Sequence, residues 1–223
     1  PHPYSVSTLM GRFPDRRLDP ALDYTLRLTA IEPGLAALLE TLTRPGGGLG
    51  PGTAIQLDRR AFTVAAATAT DHPWAGRAGY VALTAAALDR TAPPPRRISL
   101  HWASPVTFRS GGKDVPLPIP ELVFGSLLER WNASAPVAFP PETRRYAAEC
   151  LAVSRYDLTT RSVAAKEGAQ RIGASGQVSF TTFRYDRYWM GVLHALAAFS
   201  RFAGLGAGVS YGLGQCRAVG ESD

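Results

Sequence analysis

The clearest pattern in the chain is an alternation of strand-like and helix-like segments after residue 96. Apolar residues at helical spacing predict helices over Pro120–Trp131 and Tyr188–Phe202. Runs with strand character predict strands over Arg97–Ala103, Arg145–Arg155, Gly176–Phe183 and Gln215–Val219. The order β-α-β-β-α-β is that of a ferredoxin-like domain, in which two helices cover one face of a four-stranded sheet.

The first half of the chain follows the same plan but lacks its beginning. A helix is predicted from Pro33, with leucines at helical spacing, and a second one over Tyr80–Leu88. Strands are predicted over Tyr4–Met10, Tyr24–Ile31, Ala54–Leu57 and Ala61–Thr70. The best domain boundary in the sequence is Pro93–Pro95. From the order of the predicted elements, we predict an α+β protein. Its tandem ferredoxin-like (RRM-like) domains span residues 1–92 and 96–223, the first without its opening β-α unit.

A glycine-rich loop separates the last predicted helix from the last predicted strand. Its glycines are Gly204, Gly206, Gly208, Gly212 and Gly214. P-loops and dinucleotide motifs run from a strand through glycines into a helix, whereas here the helix comes first, which disfavours a nucleotide hydrolase. Two interpretations stay open. The loop is either a simple turn or a nest of N–H groups for RNA phosphates, with Ser210 and Tyr211 as hydroxyl donors.

The positive charge of the chain is carried almost entirely by arginine. The net charge is +6, and Lys113 and Lys166 are the only lysines. Arginine binds phosphate in a bidentate manner and stacks on bases, which favours a nucleic-acid partner, although GC-rich coding gives a similar composition. The candidate RNA contacts lie in or beside the long connections predicted over 104–118 and 156–175. They are Arg109, Lys113, Arg155, Arg161, Lys166 and Arg171. The alternative is that these residues are solvated surface charges without a partner.

Composition disfavours several other classes of protein. No apolar run approaches the roughly 18–20 residues of a membrane span, and the first residues do not resemble a signal peptide. The scarcity of cysteine, with Cys150 and Cys216 alone, favours a reducing compartment, here the cytoplasm, and disfavours a zinc site. We therefore predict no metal, no cofactor and no membrane contact. His72 is predicted to organise a turn and His194 to lie on a solvated helix face.

Several segments resemble the CRISPR repeat-processing endoribonucleases of the RAMP superfamily. They are Tyr4–Leu9, His72–Trp74, Ser104–Arg109, Pro118–Asn132 and Gly204–Gly214. The resemblance implies binding of CRISPR repeat RNA and metal-independent cutting of precursor CRISPR RNA in antiviral defence. In this reaction the 2′-hydroxyl attacks the adjacent phosphate and leaves a 2′,3′-cyclic phosphate. The implied partners are repeat RNA and other CRISPR effector or adaptation proteins.

The usual catalytic histidine of that family precedes the strand that corresponds to Tyr4–Met10. Because the sequence starts at Pro1, we expect either a natural chain that extends upstream or a form without the usual active site. His2 lies near the place where the family often has a basic residue beside the cut, and it is the candidate catalytic residue. A non-catalytic RNA-binding subunit of a CRISPR effector complex and an unrelated protein-binding module stay as alternatives.

Overall fold

The residues before the proline-rich linker form two small antiparallel strand pairs and two α-helices. The computed structural model describes residues 2–89, 91–164 and 170–220. The elements of this half are β1 (Tyr4–Val6), β2 (Leu28–Ala30), α1 (Pro33–Thr43), β3 (Ala54–Leu57), β4 (Arg60–Thr63) and α2 (Tyr80–Ala87). Strand β1 pairs with β2, and β3 pairs with β4. Both helices are confirmed, whereas three of the four strands are shorter than predicted.

The second half is built on an antiparallel four-stranded sheet. Its elements are β5 (Arg97–Val106), β6 (Phe108–Ser110), β7 (Lys113–Val115), α3 (Pro120–Ser134), α4 (Glu142–Cys150), β8 (Leu151–Ala164), β9 (Gln170–Thr182), α5 (Arg187–Ala203) and β10 (Cys216–Val219). The strand order in the sheet is β10-β5-β9-β8. The predicted succession β-α-β-β-α-β is present, with the β6–β7 hairpin and α4 as additions.

One face of this sheet carries the hydrophobic core. Along β5, Ile98, Leu100 and Trp102 are buried, while the residues between them are half-buried, as expected when one face of a strand packs against helices. Helices α3 and α5 supply apolar side chains to the same core, including Phe124, Leu127, Trp131, Leu193 and Leu196. The opposite face of the sheet is left polar.

Three predicted segments of the second half are wrong at their boundaries. Residues 145–150 lie in helix α4 and not in a strand, because Thr143, Tyr146, Ala147 and Cys150 recur at helical spacing and bury one side. Strands β8 and β9 extend through most of the connection predicted over 156–175. The connection predicted over 104–118 contains the end of β5 and the β6–β7 hairpin.

His194 connects helix α5 to the linker between the two halves. Its Nε2 atom lies 2.9 Å from the carbonyl oxygen of Pro95, so the side chain contacts the linker and does not point freely into solvent. Burial lowers the pKa of His194, and the hydrogen bond to Pro95 opposes this effect. The neutral imidazole is therefore the form that the folded chain favours.

The pKa of His194 leads to a pH dependence of stability. Because the folded-state pKa lies below the unfolded value of about 6.5, protonation favours the unfolded chain. The contribution of neutral His194 to the free energy of unfolding is therefore complete above about pH 6.5 and is lost as the pH falls below this value. We expect the free energy of unfolding, measured by urea titration from about pH 8 to 5, to decrease less steeply in His194→Gln. An unchanged pH profile would contradict this assignment.

Candidate nucleic-acid interface

The loop between α5 and β10 is tightly packed against the rest of the second half. All five of its glycines have positive φ, between 70° and 104°. A Cβ atom at Gly206 would overlap the carbonyl oxygen of Thr107, at the end of β5, whereas one at Gly208 would meet the side chains of Leu213 and Tyr211 at 2.8 Å. The loop therefore needs glycine at 206 for backbone packing, and at 208 chiefly for its left-handed conformation.

Most N–H groups of this glycine loop donate inside the protein. Four of these hydrogen bonds run from Leu205 to the Gly214 carbonyl (2.8 Å), from Gly206 to Ser126 Oγ (3.1 Å), from Ala207 to the Thr107 carbonyl (2.8 Å) and from Gly214 to the Pro105 carbonyl (3.0 Å). The N–H groups of Tyr211 and Leu213 turn back to the Gly208 carbonyl. The residues of the loop that remain partly exposed are Ala207, Gly208, Ser210 and Tyr211, whereas Val209 and Gly212 are buried.

The glycine loop also contacts the first half of the chain. Ser7 forms a parallel bridge with Gly212. The buried side chain of Gln215, just after the loop, donates from Nε2 to the Val6 carbonyl oxygen at 3.2 Å. The loop therefore holds the strand β1 segment against the second half, a role that a loop in a free hairpin would not have.

An arginine cluster lies where the two halves meet. The guanidinium carbons of Arg27 and Arg217 each lie 5.3 Å from the ring centroid of Trp74, within cation–π distance. Arg27 also donates to the carbonyl oxygens of Trp74 and Arg201 and to Gln215 Oε1. Burial, together with the charge of Arg201, lowers the pKa of Arg27 to about 10. Within the part of the chain that the structure describes, no carboxylate pairs with Arg27, Arg201 or Arg217, so no ion pair balances the positive charge of the junction.

The predicted turn at His72 is confirmed and places Trp74 in this arginine cluster. The N–H of Trp74 donates to His72 Nδ1 at 3.1 Å, and the N–H of Ala75 donates to the His72 carbonyl. Trp74 in turn lies 6.2 Å from the ring of His101. Burial and the charge of Arg217 lower the pKa of His101, so its imidazole favours the neutral form.

The polar face of the four-stranded sheet continues from this cluster. Strand register places Arg217, His101, Gln177 and Asp157 in one row across all four strands. Arg155 is exposed and lies opposite Ser179, next to this row. The face thus presents both hydrogen-bond donors and acceptors, with Arg217 on the β10 edge strand and Arg155 on the β8 edge strand.

Four of the remaining predicted cations lie in strands and not in loops. Arg109, in the β6–β7 hairpin, pairs with Asp114 at 3.1 Å, and Arg171 lies 3.8 Å from the same carboxylate. Lys113 is exposed in this hairpin and Arg161 on β8. Lys166 falls outside the described residues. The candidate set is therefore spread over the second half and does not form one compact cluster.

His2 is exposed just before strand β1, and its ring centroid lies 5.7 Å from that of Tyr4. Ser7 is the residue of this segment that bridges the glycine loop. Strand β1 lies alongside the loop residues Val209–Tyr211 over its whole length. Because His2 is two residues before Tyr4, the structure places the predicted catalytic residue at the start of the strand that contacts the glycine loop.

Sequence reasoning missed Arg130 as a candidate site residue. Arg130 is 8% exposed, and its NH2 atom donates to the Gly206 carbonyl at 2.9 Å. Its Nε and NH1 atoms have no hydrogen-bond partner among the described residues, and burial lowers its pKa. A signal was available, because Arg130 follows Val123 and Leu127 at helical spacing and so lies on the apolar face of α3.

Three further findings concern membranes, metals and cysteines. No helix in the described ranges is long and apolar enough to cross a membrane. Within residues 2–89, 91–164 and 170–220, no group of three or more His, Cys, Asp or Glu side chains is arranged to hold a metal ion. Cys150 and Cys216 are both free and buried, and burial raises the pKa of Cys216 to about 12.

Comparison with known families identifies the class of protein to which this fold and loop belong. The sequence model of the CRISPR-associated endoribonuclease Cas6 matches residues 100–216, more than half of the chain, from the middle of β5 to the first residue of β10. The chain belongs to this Cas6 family. The resemblance drawn from the sequence motifs is thereby confirmed. A comparison with curated protein sequences gives no significant match.

Solved structures extend the similarity to nearly the whole chain. Cas6 (TTHA0078), solved as a substrate mimic complex and as a product complex, is 29% identical with a TM-score of 0.77. The match covers 98% of this chain and 85% of that one. Cas6 (TTHB231) of Thermus thermophilus, solved as a product complex, is 26% identical with a TM-score of 0.74, and 97% of this chain and 82% of that one are covered.

Proposed function

We propose that this protein binds CRISPR repeat RNA and cuts precursor CRISPR RNA by attack of a ribose 2′-hydroxyl, without a metal ion. The observation that carries the proposal is the similarity over 98% of the chain to a Cas6 protein solved with a substrate mimic and with product. Repeat RNA is the proposed partner, together with other CRISPR proteins. A reducing cytoplasm is the proposed location, which the two free cysteines support.

The proposed architecture is a tandem of ferredoxin-like domains over residues 1–92 and 96–223. For the second domain, the support is the antiparallel order β10-β5-β9-β8 with α3 and α5 on one face. For the first domain, the support is the pairing of β1 with β2 and the packing of α1 beside β2. In RRM-like domains the sheet face without helices is the surface that binds RNA bases.

The proposed RNA path uses the positive features of the second half. The exposed cations Arg109, Lys113, Arg155 and Arg161, with Arg171 and Lys166, contact phosphates in this proposal, because arginine and lysine neutralise backbone charge. The Gly208–Gly212 segment of the glycine loop adds backbone and hydroxyl donors. The arginine cluster around Trp74 connects these surfaces to the first half.

The proposed reaction requires a base for the 2′-hydroxyl, an acid for the leaving 5′-oxygen and cations for the charge that develops on the phosphate. His2 is the candidate for proton transfer, because it is exposed just before β1, near the place where the family often has a basic residue beside the cut. Because β1 lies alongside Val209–Tyr211 of the glycine loop, the cut phosphate in this proposal would lie near the start of β1, beside the loop.

A cleavage assay in excess EDTA tests the proposed function. We expect repeat RNA to be cut once per repeat, with a 5′-hydroxyl on one product and a 2′,3′-cyclic phosphate on the other. The end groups are read by mass spectrometry and by the failure of polynucleotide ligation without repair. Cutting that appears only when Mg²⁺ is added would contradict the proposed mechanism.

The placement of His2 favours a second candidate function, which is RNA binding without cleavage in a CRISPR effector complex. His2 is exposed, and within the described residues no carboxylate forms an ion pair with it, so no described acid orients its imidazole for proton transfer. The same assay distinguishes the two functions, because a non-catalytic subunit would bind repeat RNA tightly and leave it intact.

RNA affinity should fall steeply as salt concentration rises. Each phosphate that a cation neutralises releases counterions, so about five contacts would weaken binding about 10²-fold or more between about 50 and 200 mM salt. Fluorescence anisotropy with labelled repeat RNA measures this slope. The double variant Arg155→Gln/Arg161→Gln should reduce the slope by about two contacts, whereas Arg60→Gln in the β3–β4 hairpin should leave it unchanged. A flat salt profile would remove the nucleic-acid hypothesis.

A further inference from the structure

The guanidinium of Arg217 is held in place at the junction between the two halves of the chain. Arg217 lies on the edge strand β10, and its guanidinium carbon is 5.3 Å from the ring centroid of Trp74. An arginine at this distance is attracted to the face of the tryptophan ring. Its Nε atom is buried. The ring and the buried Nε together restrict the orientation of the guanidinium.

The two terminal nitrogens of Arg217 are the donors that remain for a ligand. The side chain is partly exposed, and of its nitrogens Nε alone is both buried and without a partner among the described residues. In the same part of the chain, the junction arginines that donate side-chain hydrogen bonds are Arg27 and Arg201. NH1 and NH2 of Arg217 therefore reach solvent. The outer N–H groups of these two nitrogens point the same way, a geometry that matches two oxygens of one phosphate.

The charge around Arg217 is positive and has no carboxylate partner in the described ranges. Arg27 lies over the same Trp74 ring, but all three of its side-chain nitrogens donate inside the protein, so it contributes charge and no free donor. Burial and the charge of Arg201 lower the pKa of Arg27, and burial and the charge of Arg217 lower the pKa of His101. Because neighbouring cations contribute to both shifts, a bound anion would lower the electrostatic free energy of this junction.

His101 lies beside Arg217 on the polar face of the sheet. The two residues are directly opposite each other on β5 and β10, and the ring of His101 lies 6.2 Å from that of Trp74. Side chains of such a pair are close enough to contact the same ligand. A neutral imidazole has one N–H donor and one acceptor nitrogen. A group bound at the end of Arg217 would therefore lie beside a second hydrogen-bonding side chain.

We propose that Arg217 binds a phosphate group through NH1 and NH2, with its guanidinium held on Trp74 and with His101 beside it. The phosphate comes either from the backbone of the repeat RNA, in which case the inference rests on the proposed function, or from a free phosphate anion. Because Trp74 belongs to the first half of the chain and Arg217 to the second, the phosphate would bind where the two halves meet.

The first test uses the unmodified protein and needs no RNA. Crystals are soaked in tungstate, a heavy analogue of phosphate, and the anomalous signal locates the anion. We expect a peak within hydrogen-bond distance of NH1 and NH2 of Arg217. Peaks confined to other arginines, or no peak, would overturn the proposal, and this outcome does not depend on the folding of any variant.

The second test measures the Kd for repeat RNA by fluorescence anisotropy in folded variants. Arg217→Gln should raise the Kd about tenfold, and Arg217→Lys about threefold, because lysine keeps the charge but lacks the planar fork. Arg96→Gln is the matched control, since Arg96 is exposed and lies over the ring of Tyr185 at 4.9 Å, at the linker. It should change the Kd less than about twofold. Equal effects at positions 217 and 96 would exclude the RNA backbone as the source of the phosphate.

RNAs with one neutral methylphosphonate each identify the nucleotide that is bound. A 2′-deoxyribose beside the methylphosphonate prevents strand cleavage, and the same deoxy RNA with an ordinary phosphate is the control. At the contacted position the substitution should weaken binding to the unmodified protein and leave binding to Arg217→Gln unchanged, because the interaction is already lost there. Additive effects at every position, together with a tungstate peak at Arg217, would assign the site to a free anion.

Failure of the proposed function has a different result. If the unmodified protein does not bind repeat RNA, the proposed function is removed, whereas the tungstate peak still decides whether Arg217 binds an anion. If RNA is bound and the peak lies elsewhere, the proposed function stands and the site at Arg217 is excluded.

Discussion

Repeat RNA that carries one 2′-deoxyribose at the cleavage site should be bound normally by this protein but not cut. In the proposed reaction the 2′-oxygen is the nucleophile, so its removal leaves the adjacent phosphorus without an attacking group. The phosphate charges that dominate affinity are unchanged by the substitution. The measurement compares product formation and Kd for the all-ribose and the deoxy-substituted RNA in EDTA.

A deoxyribose placed one nucleotide away from the cut provides the matched control, and this RNA should be cleaved. Cutting of the first substrate at its usual position would exclude attack by the 2′-hydroxyl. Where only the intact site is cut, His2→Ala tests the proton-transfer role. Loss of a general acid or base lowers the rate about 10²–10⁴-fold, with RNA affinity unchanged. An unaltered rate would remove His2 from the mechanism.

Alanine at Gly208 should weaken RNA binding about tenfold or more, which corresponds to roughly 1.4 kcal/mol, while the protein stays folded. Gly208 has φ 83°, where alanine is strained by about 1–2 kcal/mol. Its added Cβ meets the ring of Tyr211 and the end of Leu213, so it displaces side chains in the part of the loop proposed to face RNA. RNA affinity is measured by anisotropy and unfolding by urea titration.

Gly46→Ala is the matched control for this prediction, because Gly46 has φ 82° and open space around it. It should lose similar stability and keep its RNA affinity. Gly206→Ala should instead be destabilised by about 2–5 kcal/mol, since overpacking adds to the strain where the new Cβ overlaps the Thr107 carbonyl. Unchanged RNA affinity in a folded Gly208→Ala protein would reduce the loop to a structural turn.

Four of the five α-helices in the described residues were predictable because each signal is local. Proline at the first position and leucines at helical spacing marked α1, which begins at Pro33 as predicted. The apolar stripe of α5 was equally clear, because Leu193 and Leu196 recur on its buried face. The two central strands of the second half were also located, although β9 begins six residues earlier than predicted, at Gln170.

The predictions that failed concern elements whose structure depends on contacts with other parts of the chain. The β8–β9 hairpin extends well beyond its apolar core because each strand satisfies the hydrogen bonds of the other, and this pairing leaves no apolar periodicity to detect. The β6–β7 hairpin turns at Gly111 and Gly112, inside the connection predicted over 104–118. Helix α4 was mistaken for a strand because its buried face is short and its other residues are polar.

The candidate site was only partly predictable for the same reason. The positive φ of the loop glycines follows from residue type, but the side on which their N–H groups point depends on β5 and α3. Arg130 carries a charge on an apolar helix face, which is visible in the sequence, yet its contact with Gly206 spans 76 residues. The arginine cluster around Trp74 combines residues from four segments, and no local pattern links them.

The hydrogen bonds of Arg27 have a consequence for the order in which the chain acquires its structure. They join Arg27 to Arg201 and Gln215, which are 174 and 188 residues away in sequence. At a synthesis rate of about 5–20 residues per second, Arg27 is made roughly 10–40 s before Gln215. Contacts between such distant residues are also slow to form. The first half of the chain therefore cannot complete its contacts with the second half until nearly all of the chain has been made.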